Sequence, residues 1–126
     1  MITHPQAPPT SSATGITIQS NAIVTNNTVE NFTVGIWSLG DFNNVTNNRV
    51  LLASGAVVIF GTNNDVEHNF LINSGAAIDF NCVGSGNTVI HNVVNDTDLG
   101  IASPHGSNTI SPNSFFNVKQ MTSPSC

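Results

Sequence analysis

The chain is short of positive charge. Arg49 and Lys119 are its only Lys or Arg residues, against seven acids, for a formal net charge of −5. Nucleic acid and anionic membrane surfaces both select a basic patch, so neither is an expected partner. Tyrosine is absent, tryptophan occurs once, and charged residues make up 7% of 126 positions. Sparse charge does not signal disorder here. Disorder needs low hydrophobicity together with high net charge, and this chain is rich in Val, Ile and Phe. Long apolar runs are also missing, and no segment approaches the roughly 20 residues of a membrane-spanning helix. The two cysteines, Cys82 and Cys126, have no CxxC neighbour, which argues against a cysteine-built zinc site. No cofactor is expected.

What the chain does have is asparagine and β-branched residues in a repeating order. The stretch "NNVTNNRV" (43–50) returns as "NDVEHNFL" (64–71), "NTVIHNVV" (87–94) and "NTISPNSF" (108–115). Alignment on the later asparagine gives Asn27, Asn48, Asn69, Asn92 and Asn113, with steps of 21, 21, 23 and 21. Three residues earlier stand Val24, Val45, Val66, Val89 and Ile110; two later stand Val29, Val50, Leu71, Val94 and Phe115. Further along come Gly35-Ile36, Ala56-Val57, Ala77-Ile78 and Gly100-Ile101. Asn43, Asn64, Asn87 and Asn108 form a second asparagine column.

A period of 21 is too short for helix-pair repeats or propeller blades, and the leucine-rich pattern is absent. Within each repeat the residues alternate in twos and are β-branched, which is strand-like. The simplest geometry is a coil of short strands stacked on the previous coil, with parallel pairing and a rise of about 4.8 Å per coil. Stacking explains the asparagines. An inward Asn can pass its side-chain NH2 to the amide oxygen of its neighbour and continue a ladder. Asn also tolerates the left-handed backbone of a sharp corner.

This pattern resembles the right-handed parallel β-helix repeats of the pectate-lyase-like superfamily. It looks closest to secreted bacterial β-helix proteins grouped with the periplasmic copper-binding repeat family. The resemblance runs from Gly15 to about Val118. It implies an all-β, right-handed parallel β-helix of about five coils, and an extracellular or periplasmic location. It says less about activity, because this superfamily hosts lyases, hydrolases, epimerases and adhesins. The organisation expected is a Pro/Ser-rich lead-in at 1–14, the β-helix at 15–118 and a tail at 119–126. The lead-in has no apolar core of the signal-peptide kind, so export implies a signal outside this chain.

The single two-residue expansion falls in "NCVGSG" (81–86), which is expected to bulge as a loop carrying Cys82. Cys126 stands 13 residues after Asn113, as Cys82 does after Asn69. Both therefore share an angular position two coils apart, about 9.6 Å, beyond the roughly 7 Å limit for a bridge. A Cys82–Cys126 disulfide requires the tail to fold back. Bare solenoid ends expose core and unpaired strand edges, which makes end-to-end homo-oligomers an expectation.

Four candidate sites follow. If Ile36 and Ser38 point inward, Trp37 points outward, in a column with Thr17, Val58, Asp79 and Ala102. Trp37 and Asp79 are candidates for contact with a polysaccharide. Lyases and hydrolases of this fold need clustered acids, or acids with a basic residue, and Asp79 has no partner acid in its column. His68 and His91 share a column beside Glu67, about 5 Å apart, and are a candidate copper or zinc pair. "SPHG" (103–106) resembles the Asp-Pro-His-Asp motif of β-helix epimerases only at Pro104 and His105, with both acids missing. Thr25 and Thr46 begin an ice-binding-like column that Glu67, Ile90 and Ser111 break. The reading these support is a non-catalytic secreted scaffold, glycan-binding or self-assembling. The alternative is the C-terminal part of a polysaccharide lyase or epimerase acting on uronate-containing glycans.

Overall fold

The computed structural model describes residues 13–102, 104 and 107–124. Its described elements are all strands. The first partial coil contributes β1 (Thr14–Ile18). The next holds β2 (Ile23–Thr25), β3 (Thr28–Glu30) and β4 (Val34–Ser38). It is followed by β5 (Asn44–Thr46), β6 (Arg49–Leu51) and β7 (Gly55–Ile59), then β8 (Asp65–Glu67), β9 (Phe70–Ile72) and β10 (Ala76–Asp79). Beyond them lie β11 (Thr88–Ile90), β12 (Val93–Ala102) and β13 (Ser114–Thr122).

Every strand pairs in parallel with its counterpart one repeat away, for instance Val24↔Val45, Val50↔Leu71 and Ile36↔Val57. The result is a β-solenoid of about five turns. One face stacks β2, β5, β8 and β11. The other two are joined into one sheet, because β12 turns a corner as a continuous strand and pairs with both β9 and β10. The repeat extends past Val118: β13 keeps its register on β12 as far as Ile101↔Thr122. The 81–86 insertion makes a turn closed by Val83 N–H on the Phe80 carbonyl (3.0 Å), and Ser85 rejoins the stack opposite Thr62.

The core is a set of vertical apolar columns. Val45, Val66 and Val89, then Val50, Leu71 and Val94, then Ile36, Val57 and Ile78 are all fully buried. Alternation puts these side chains inside and their strand neighbours outside. Close stacking of coils also demands glycine at one corner, where a Cβ on Gly61 would stand 1.9 Å from the Gly40 carbonyl oxygen.

Three corner columns adopt left-handed backbone. One is Asn26, Asn47, His68 and His91, with φ of 55° to 59°. Another is Asn21, Phe42, Asn63 and Gly86, and the third is Asn31, Leu52, Asn73, Asp96 and Asn117. Sequence reasoning gives the left-handed corner to Asn27, Asn48 and their equivalents. The structure moves it one residue earlier, which frees those later asparagines to turn inward.

Inward, they form a continuous hydrogen-bonded row. Asn48 Oδ1 accepts from Asn27 N–H (3.0 Å) and Asn27 Nδ2 (3.1 Å). Asn48 Nδ2 in turn donates to Val24 O (2.9 Å) and to Asn69 Oδ1 (3.1 Å). Asn69 and Asn92 repeat this pattern, and Asn92 hands on to Asn113. Both lone pairs and both protons of each interior amide are thereby used, which is what a buried amide requires. A second row runs through Asn43, Asn64, Asn87 and Asn108. Ser38 Oγ joins that row by accepting from Asn43 Nδ2 at 2.9 Å.

Candidate functional site

His68 and His91 each follow the last residue of a strand on one face, β8 and β11 respectively. Their left-handed φ values, 57° and 56°, turn both side chains off the corner into solvent, where both are exposed. Histidine is one of the few residues besides Asn and Asp that is enriched in this conformation. The rings stack with centroids 5.4 Å apart and planes 12° from parallel. The lone pairs of such rings lie in two parallel planes and do not converge. A metal held by both imidazoles, at about 2.0 Å from each nitrogen, needs those nitrogens within roughly 4 Å. Pro112 ends the column, since its ring holds φ negative. Among the described residues no group of three or more His, Cys, Asp and Glu could hold a metal ion.

The outward column of the β4 face has the register expected: Thr17↔Trp37, Trp37↔Val58, Asp79↔Val58 and Asp79↔Ala102. Trp37 is half-buried and meets Phe60 edge to face, with ring centroids 5.2 Å apart. Its Nε1–H is buried with no hydrogen-bond partner. Asp79 Oδ1 accepts the Asn81 backbone N–H at 2.8 Å and so closes the turn that opens the insertion. Trp37 and Asp79 therefore stand in one column, separated by Val58, and each is engaged locally.

The two basic residues sit elsewhere. Arg49 lies over the Phe70 ring, 5.9 Å from its centroid, and Lys119 pairs with Asp98 at 3.1 Å. The Arg49–Phe70 contact was foreseeable as a shared column with Thr28 and Val93, but column membership alone does not reveal a cation over a ring. Glu67 pairs with Thr46 and Ile90 on its own face, beside the imidazole pair. Cys82 lies in the insertion at φ 61° and is not a free thiol. Cys126, the partner expected for it, lies outside the described residues, as do Ser103, His105 and Gly106 of "SPHG". Pro104 of that motif is buried.

A family model described as periplasmic copper-binding protein (NosD) matches residues 8–125. No curated protein and no solved structure matches the chain.

Proposed function

Because the chain belongs to the NosD family, whose model is described as a periplasmic copper-binding protein, we propose that it is a non-catalytic periplasmic scaffold that contacts copper through His68 and His91. The observation that carries this reading is the stacked imidazole pair on an exposed corner, 5.4 Å between centroids. Imidazole is a suitable copper ligand, and Cu(II) heads the divalent affinity order for nitrogen sites. The residues fit copper as an open contact with two protein ligands, leaving its other positions to water or to a partner's groups. Bound there, copper would be held at the surface and remain accessible for exchange. The scaffold fixes the two Cα positions one coil apart, and the side chains alone must move to grip the ion.

Glycan contact along Trp37 and Asp79 draws less support, because the Trp37 indole packs against Phe60 and Asp79 caps a turn. The lyase or epimerase reading likewise lacks a second acid in the Asp79 column, where Val58 and Ala102 are the neighbours.

Calorimetric titration with Cu(II) tests the proposal. The wild-type chain is expected to bind, and His68→Ala or His91→Ala to weaken binding about tenfold or more. His4→Ala and His105→Ala, at the remaining histidines, are expected to leave the isotherm unchanged. Identical isotherms for wild type and the His68→Ala/His91→Ala double variant would overturn it.

A further inference from the structure

The imidazole pair supplies only part of a metal site. Among the described residues no third His, Cys, Asp or Glu is placed to share a metal ion with His68 and His91. Their rings stack 12° from parallel, with centroids 5.4 Å apart. Lone pairs in two parallel planes do not meet at one ion, so each ring as it stands offers copper a single ligand. Cu(II) favours a tetragonal set of nitrogen and oxygen ligands, and one imidazole leaves most of that set open. The rings also stand on a ridge. They follow Asn26 and Asn47 in a corner column whose left-handed backbone, φ 55° to 59°, turns side chains away from the body. All four residues are exposed, and so is Pro112 at the next step. The amides and the proline ring are shorter than imidazole, so the two rings are the outermost groups of the column.

A second copy supplies what is missing. A two-fold axis across the ridge, midway between the two rings, runs the columns of two copies in opposite directions. It sets His68 against the partner's His91 and His91 against the partner's His68, at matching spacing because one coil rise fixes both. We infer that copper joins two chains at this ridge, with one ion between each His68 and the partner's His91. The inference rests on the reading that these imidazoles contact copper, and it adds who supplies the further ligand. Such an isologous contact uses each ring once and closes after two copies. Charge makes it conditional on the metal. Each chain carries a formal net charge of −5, and Glu67 directly precedes His68. Metal-free ridges therefore repel, and dications held between them offset that repulsion. At the next step along the ridge Asn47 comes opposite the partner's Pro112, and neither carries charge.

Sedimentation velocity on the full chain at high micromolar concentration, without and with an equivalent of Cu(II), tests it. The expected result is the 13.2 kDa mass of one chain without copper and twice that mass with it, returning to the single mass on adding a chelator. His68→Asn and His91→Asn each remove one ring from every bridge, so neither variant alone should double. An equimolar mixture of the two should double in part, because His91 of one variant meets His68 of the other and restores a single bridge. Asparagine stands at this same corner at positions 26 and 47, so both variants should melt with the wild type. Copper binding by calorimetry with an unchanged mass, or a mixture with no double mass, would overturn the inference and leave the copper reading standing. No copper binding at all would overturn both.

Discussion

Asn48 and Asn69, on adjacent coils, meet at one oxygen: Asn69 Oδ1 accepts both the backbone N–H and the Nδ2 of Asn48, at 2.9 and 3.1 Å. Asn69 Nδ2 passes on to Val45 O and Asn92 Oδ1. Asn69→Ala therefore strands donors and acceptors on both adjacent coils in a buried site. Each stranded group costs about 1–3 kcal/mol, so a loss of about 3 kcal/mol or more is expected by chemical denaturation. Asn27→Ala, at the half-buried end of the row, leaves Asn48 Oδ1 its bond from the residue 27 backbone N–H and should cost only about 1 kcal/mol. Equal losses at the two positions would show that the row is not cooperative along its length.

Two left-handed corners carry side chains that dislike that conformation, Phe42 at φ 58° and Leu52 at φ 56°. Left-handed backbone costs an ordinary residue about 1–2 kcal/mol, and less for Asn. Phe42→Asn gives up little burial, since Phe42 is 62% exposed. It is expected to stabilise the protein by about 1 kcal/mol, read as a raised melting temperature. Leu52→Asn should shift stability in the same direction by a smaller amount.

Gly61→Ala should be poorly tolerated. The added methyl would lie 1.9 Å from Gly40 O, an oxygen that also accepts Asn64 Nδ2 at 3.1 Å. Relief requires prising two coils apart at a point where a side-chain row crosses them. A loss of about 3 kcal/mol is expected from the overpacking, with lowered soluble yield as the first sign.

Trp37, the only tryptophan, reports on its own packing. Phe60→Ala removes the ring whose centroid lies 5.2 Å from that of Trp37 and is expected to shift the Trp37 emission to the red. The accompanying loss of stability should be at least about 1 kcal/mol, the scale of an aromatic pair beyond its buried area.

Most of this fold was legible because a stacked coil turns sequence period into spatial contact. Val24, Val45, Val66 and Val89 had to touch once the strands were parallel and unshifted, and the insertion at 81–86 was visible as the one irregular step. The corners were harder. In a pair such as Asn47-Asn48 both residues suit a left-handed turn, and only the inward demand for a fully satisfied amide decides which one turns. The third corner column, Asn31, Leu52, Asn73, Asp96 and Asn117, is chemically mixed and left no pattern to read. Its conformation comes from closing the coil, which overrides residue preference at Leu52. The His68–His91 stack followed from register, but the near-parallel ring planes did not, since side-chain torsions are free of the repeat.

The asparagine rows have a direction. Each interior amide receives at its oxygen from the coil before and gives its proton to the coil after. Their dipoles therefore add along the axis instead of cancelling, and each bond polarises the next. The stack thus has a built-in polarity along its asparagine rows, from the first coil towards the last.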